Sequence, residues 1–213
     1  MSVSFAVTAY KETTRGGPTI LQCVEAAVQH PQVTEIVVVD DASPDFTKLK
    51  KMVVDVPKLK LFQNEKNLGV FGNKLSAVAH CSGEWVINSD SDNIFDEEAI
   101  SKVLSCDLDP MTWYCPSFAK PVFDYRKLVG RYNSANIAKL VNAGGMADCL
   151  MNTGNQTVHR DSYMAVFGQY FNERADLLLP NYLGIPEAKR KTSHWRDVFN
   201  ACDSLVFNSI WIN

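Results

Sequence analysis

An open, mostly parallel β-sheet covered by helices on both faces is the fold class this sequence predicts, followed by a less regular C-terminal lobe. Three observations predict it. Short apolar or β-branched runs alternate with segments of helical period through the first half of the chain. The runs are apolar in both registers, as strands buried on two faces require. Acids and hydroxyls gather where those runs end, and an open α/β sheet places its ligand crevice beyond the carboxyl ends of its strands.

Taken in order, "VSFAVTA" (Val3 to Ala9) reads as the first strand. "GGPTILQCVEAAVQH" follows as a helix, with Pro18 in its first turn and Ile20, Leu21, Val24, Ala27 and Val28 at helical spacing. "EIVVV" (Glu35 to Val39) is the second strand and "DFTKLKKMVVDV" the second helix. "KLKLF" and "NKLSAVAHC" repeat the unit, "EWVIN" (Glu84 to Asn88) is the fourth strand, and "DEEAISKVL" opens a helix with acids that suit its dipole. The rhythm breaks after about Leu108. "MTWYCPSFA" is strand-like, "SANIAKLVNA" helical, "GGMADCLMNTGNQTVH" irregular, "RDSYMAVFG" a short helix, and "HWRDVFNACDSLVFNSIW" an amphipathic terminal helix. The expected organisation is one domain over 1–213, with a nucleotide-type half at 1–108 and a substrate-specific half at 109–213. The ending "SIWIN" after an apolar helix would suit a domain cut from a longer protein.

The bulk numbers narrow the classes. A chain of 213 residues can bury a full core, and 46% hydrophobic with 21% charged residues is an ordinary globular balance. A net charge of −3 gives no electrostatic footprint for nucleic acid. No run approaches the roughly 20 apolar residues of a membrane span, and "MSVSFAVTAYKE" lacks the basic start and long apolar core of a signal peptide. Six scattered cysteines without a C-x-x-C pair read as reduced thiols filling core space. A cytoplasmic setting is the default, in which the acceptor-like "NQT" at Asn155 goes unused.

The polar strand ends are Thr8, Ala9 and Tyr10 after the first strand, Asp40 and Asp41 after the second, and Asp90, Ser91 and Asp92 after the fourth. Each alone has an ordinary reading as a turn former or helix cap. Parallel strands would bring all three ends to one edge, and that convergence is the stronger signal. Asp90 and Asp92 crowd two negative charges together, an arrangement a cation would favour. Mg²⁺ or Mn²⁺ prefers hard oxygen ligands and commonly bridges one or two carboxylates to substrate phosphates. Glycine-based phosphate cradles are absent: neither G-x-x-x-x-G-K-[ST] nor a G-x-G-x-x-G after a strand occurs, and "NLGVFGNK" fits neither. A phospho-acceptor receiver domain also has acids at strand ends, but its acid pair follows the first strand, whereas here a strand-helix unit precedes "VVVDDASPD".

"SFAVTAYKE", "EIVVVDDASPD", "EKNLGVFGNKLSAVAHCSGEWVINSDSDNIF" and, more loosely, "GNQTVHRDSYMAVFGQYFNE" resemble the successive blocks of family 2 glycosyltransferases, which have the GT-A fold. Compact size and the lack of a membrane segment also resemble the glycosyltransferase domain of a chlorovirus protein that builds capsid glycans. The resemblance implies a UDP-sugar donor, a glycan or glycoprotein acceptor, and Mn²⁺ or Mg²⁺. It assigns the base of the nucleotide to Thr8, Ala9 and Tyr10, and the uracil imide to Asp41. Lys74, with Lys66 behind it, becomes a candidate for the base or phosphate, although the ordinary reading of Lys74 is an exposed helix lysine. Asp90 and Ser91 fall near the ribose, and Asp92, with Asp90, on the metal.

The family's inverting members take the acceptor proton with a Glu-Asp pair, and this sequence has no such dipeptide. Asp203 in "NACDSLVF" is the best-placed substitute, then Asp197, then Asp176; His194 is a further candidate for metal or phosphate. The glutamine-arginine-tryptophan motif of processive synthases is also missing, which favours transfer of one sugar. The expected activity is metal-dependent transfer of a single glucose- or rhamnose-type hexose, with inversion. A sugar nucleotidyltransferase or a non-catalytic nucleotide- or glycan-binding domain is the alternative.

Overall fold

The computed structural model describes residues 1–17, 19–119, 123–124, 126–132, 155–165 and 208–212. Four parallel strands form its first half: β1 (Val3–Ala9), β2 (Val33–Asp40), β3 (Leu59–Gln63) and β4 (Trp85–Asp90). The connecting helices are α1 (Ile20–Gln29), α2 (Phe46–Val53) and α3 (Gly69–His80), and α4 (Glu97–Leu104) follows β4. Each lies within a few residues of its expected place.

The apolar runs are continuous because both faces of the sheet are covered. Phe5, Val7, Ile36, Val38 and Ile87 pack with Ile20, Val24, Leu49 and Ile100, on the side of α1, α2 and α4. The alternate positions, Ala6, Val37, Val39 and Val86, pack with Phe71, Leu75 and Val78 of α3. Each buried Val, Leu, Ile or Phe side chain among these contributes roughly 1.5–3 kcal/mol of apolar transfer. Helix ends are closed by side chains. The Gln22 amide oxygen accepts from the Thr19 N–H at 2.9 Å, and Asp96 accepts from the Ala99 N–H at 2.6 Å.

Beyond β4 the sheet continues through β5 (Thr112–Pro116), β8 (Arg131–Tyr132), β9 (Thr157–His159) and β10 (Asn208–Ile212), while β6 (Phe118–Ala119) and β7 (Phe123–Asp124) pair separately. The order among the described residues is β3-β2-β1-β4-β9-β5-β10-β8, with β9 and β8 running against the other strands.

Three expectations are corrected here. "MTWYCPSFA" is two strands. The end of "GNQTVH" is not irregular but enters the sheet as β9, between β4 and β5. The expected terminal helix cannot hold at its end, where Asn208–Ile212 pairs in parallel with Thr112–Pro116. Isoleucine and tryptophan suit a pleated surface as well as a helix, and a neighbouring strand decides between them. A helix begins at 160, as expected of "RDSYMAVFG", and is described to 165.

Candidate active site

The strand register brings the polar ends together. Thr8 lies beside Asp90 and Ala9 beside Asp40 in the parallel ladders. Both ladders run one step further, with the Asp41 N–H donating to the Ala9 carbonyl at 2.9 Å and the Ser91 N–H to the Thr8 carbonyl at 3.1 Å. Thr8, Ala9, Asp41, Asp90 and Ser91 therefore share one edge of the sheet, with Tyr10 and Asp92 next along the chain.

Asp41 is buried and held by donors on all sides. Its Oδ1 accepts from the Leu68 N–H at 2.8 Å and the Asn64 amide at 2.9 Å, and its Oδ2 from the Gly69 N–H at 2.9 Å. The two N–H groups open α3, so Asp41 caps that helix from another strand, with its charge at the positive end of the dipole. A carboxylate has about four acceptor directions, which leaves one on Oδ2. Asn64 is fixed in turn by the Ser76 hydroxyl at 2.7 Å and by donating to Asn73 at 3.0 Å.

Asp90 is met by two groups on its Oδ1, the Thr8 hydroxyl at 3.1 Å and the Lys74 ammonium. Lys74 is 1% exposed, which corrects its reading as a surface lysine: α3 turns it under the sheet edge and spends its charge on Asp90. Lys66 is exposed. Asp92 points outward, its side chain 53% exposed, and its Oδ2 is ion-paired with Arg15 Nη1 at 2.9 Å. The Arg15 Nη2 also donates to the Ser91 hydroxyl at 3.0 Å, and Nε and Nη2 reach Glu12 Oε2 at 3.1 and 2.9 Å. Each carboxylate of the Asp-Ser-Asp triplet thus has its own cation, and their crowding is relieved by side chains of this chain. Tyr10 is exposed with the Lys11 ammonium 5.1 Å from its ring centre.

Arg15 and Glu12 were not among the expected site residues. Their loop, "AYKETTRGGP", has no periodicity, and only the fold shows that it returns to the end of β4. Asn155 is another: its side-chain oxygen accepts from Asn93 at 3.0 Å, which ties the start of β9 to the segment after Asp92. Under the site, Cys23 lies 3.5 Å from the Ser89 hydroxyl. Burial, only partly countered by that hydroxyl, pushes its thiol up to about 12, so it stays protonated and inert. Asp45 anchors the loop through the Thr13 N–H and hydroxyl at 2.8 and 2.6 Å; burial would raise its carboxyl, but these bonds hold it below the usual range. Asp203, Asp197, Asp176 and His194 lie outside the described residues.

Among the described residues no three His, Cys, Asp or Glu side chains form a ready metal cage. The oxygen donors present still fit Mg²⁺ or Mn²⁺ arriving with ligands of its own, because such ions keep waters and phosphates and need one or two protein carboxylates. Asp92, exposed and rigidly based on β4, offers one.

A parallel β3-β2-β1-β4 sheet ending in this acid and hydroxyl edge, extended by mixed strands, is the GT-A arrangement. The family described as "Glycosyl transferase family 2" matches residues 4–168, and the chain belongs to it. The succinoglycan biosynthesis protein ExoO of Rhizobium meliloti (strain 1021) is 29% identical over 103 residues, 48% of this chain and 28% of that protein. The match thus spans little more than a quarter of that relative's length. Solved structures of S. aureus TarS residues 1–349 share the fold: TM-score 0.57 at 15% identity, covering 99% of this chain and 58% of that one. The TarS complex with UDP-GlcNAc gives 0.53 at 16% identity, covering 80% and 47%, and that with UDP 0.54 at 14%, covering 99% and 61%. Among the described residues no helix is long and apolar enough to cross a membrane.

Proposed function

We propose that the chain transfers a single hexose, glucose- or rhamnose-type, from a UDP-sugar to a glycan hydroxyl with inversion. The observation that carries this reading is the strand register that sets Thr8, Asp41 and Asp90 on one edge, with Asp92 next along the chain. The UDP-GlcNAc and UDP complexes of TarS and the succinoglycan role in ExoO's name support a nucleotide-sugar donor and a glycan product.

In this reading the open acceptor direction of Asp41 Oδ2 takes the uracil imide N–H, and Tyr10 packs by the base. Asp90, oriented by Lys74 and Thr8, binds the ribose with Ser91 beside it, so Lys74 acts through Asp90 rather than by touching phosphate. Asp92 holds Mn²⁺ or Mg²⁺, which when bound supplies positive charge against the departing diphosphate. The nucleotide half, 1–108, binds the donor. The half at 109–213 binds the acceptor and carries the general base, Asp203 or else Asp197, that accepts the hydroxyl proton.

Calorimetry tests the donor site. UDP should bind the wild-type chain more tightly with Mn²⁺, and Asp92→Ala should lose at least about tenfold of that affinity. No binding of UDP, or binding indifferent to both metal and substitution, overturns the reading. Turnover of a UDP-sugar panel then tests the base, and undiminished turnover by Asp203→Ala removes that residue.

A further inference from the structure

We propose that Arg15 couples the cation to the diphosphate: it lowers the affinity of Asp92 for a divalent ion alone and favours the ion once a nucleoside diphosphate is bound. The inference rests on the reading that this edge takes a nucleoside diphosphate with a divalent cation.

Arg15 is built into place. Glu12, buried, holds Nε and Nη2 through Oε2, while its Oε1 accepts from the Ile20 N–H at 2.8 Å at the start of α1. The loop between them is pinned to the β2–α2 turn, by Thr13 on Asp45 and by the Lys11 N–H on the Ser43 hydroxyl at 2.8 Å. Lys11 has a φ of 53°, a left-handed conformation that a lysine keeps only where its surroundings enforce it. The guanidinium therefore reaches Asp92 and Ser91 already oriented, with little side-chain entropy left to lose.

Its donors are not all spent. Of the five N–H groups, that of Nε donates to Glu12 and one of Nη2 to Ser91, while Nη2 and Nη1 also stand 2.9 Å from the Glu12 and Asp92 carboxylates as ion pairs. Among the described residues Nη1 is ion-paired with Asp92 and makes no hydrogen bond. A free divalent ion on the Asp92 carboxylate stands next to this fixed positive charge and is repelled. A diphosphate reverses the balance, because it brings several negative charges and acceptor oxygens that guanidinium binds well. Ion and nucleotide then favour each other through Arg15, and by linkage the coupling is the same from either side.

Mn²⁺ titration followed by electron paramagnetic resonance, with and without UDP, tests this in wild type and Arg15→Gln. Glu12→Gln/Arg15→Gln is added because removing Arg15 alone strands a buried carboxylate, and circular dichroism confirms folding. Without UDP both variants should bind Mn²⁺ about tenfold more tightly than wild type. The factor by which UDP tightens Mn²⁺ should fall by about tenfold or more, and Arg15→Lys, which keeps the charge, should bind free Mn²⁺ as weakly as wild type. Unchanged or weaker binding of free Mn²⁺ by the folded variants, or an unchanged UDP factor, overturns the proposal while leaving the donor site intact. A wild-type chain whose UDP binding ignores Mn²⁺ overturns the donor-site reading itself.

Discussion

The two aspartates of the triplet differ in what they do for the folded chain, although one serine separates them. Asp90 is the partner of an ammonium that is almost wholly buried, so Asp90→Ala strands the Lys74 charge away from water. Breaking a buried pair from one side costs about 3 kcal/mol or more. Asp92 is exposed and its partner Arg15 keeps Glu12 and Ser91. Removing one member of such an exposed pair costs about 1 kcal/mol at most. Urea unfolding of the two variants should show that difference, while both lose metal-assisted UDP binding. Equal stabilities would mean that Lys74 is not held by Asp90. The crowded pair was visible in the sequence, and a cation was the expected remedy. That two side-chain cations provide it was not visible, because Lys74 comes 16 residues earlier in a helix and Arg15 lies in a loop without period.

At the scale of elements, β1, β2 and β4 were legible because strands covered on both faces need near-continuous apolar runs, while the edge strand β3 was legible from its place in the alternation. β9 was not: a three-residue strand leaves no periodic trace, and its place is fixed by β4 and β5 on either side. The opposite edge of the parallel strands shows how the elements are locked. Glu35 of β2, buried, accepts from Ser4 of β1 at 2.5 Å, Lys60 of β3 at 2.7 Å, and the Ser82 N–H and hydroxyl ahead of β4 at 2.5 and 2.8 Å. Burial pushes its carboxyl up, but the bonds from Lys60, Ser4 and Ser82 more than reverse that and leave it at about 2 against an ordinary 4.5. A folded-state pKa below the unfolded one means the unfolded chain takes up protons first. The stabilisation is therefore complete above about 4.5 and is lost as pH falls toward about 2. Urea midpoints between pH 6 and 2 should fall less steeply for Glu35→Gln, which keeps the shape without the titration. Parallel slopes for the two proteins would remove Glu35 as the cause.

For the molecule as a whole, the sheet order separates the proposed tasks. β3, β2, β1 and β4 carry every donor-side residue named above at their ends or in the loops and helix they lead into. β10 stands beyond β9 and β5, paired with β5 on one side and β8 on the other. Its misreading as part of a helix has a physical origin: the described strands after residue 108 are short and sequence-distant, and a single chain does not display their pattern. If donor binding and acceptor chemistry are divided as proposed, damage to β10 should affect them unequally. Ile210 lies opposite both Tyr114 and Arg131, so Ile210→Pro removes a backbone donor and fits poorly between two paired neighbours. UDP affinity in the presence of Mn²⁺ should stay within about twofold of wild type, because the strands that end in the polar edge do not pair with β10. Transfer to an acceptor should fall by about tenfold or more, since β10 ties β5 to β8 within the half proposed to bind the acceptor. Calorimetry and a turnover assay on the same preparation decide it, and a parallel loss of UDP binding and transfer would show that the two halves work as one unit.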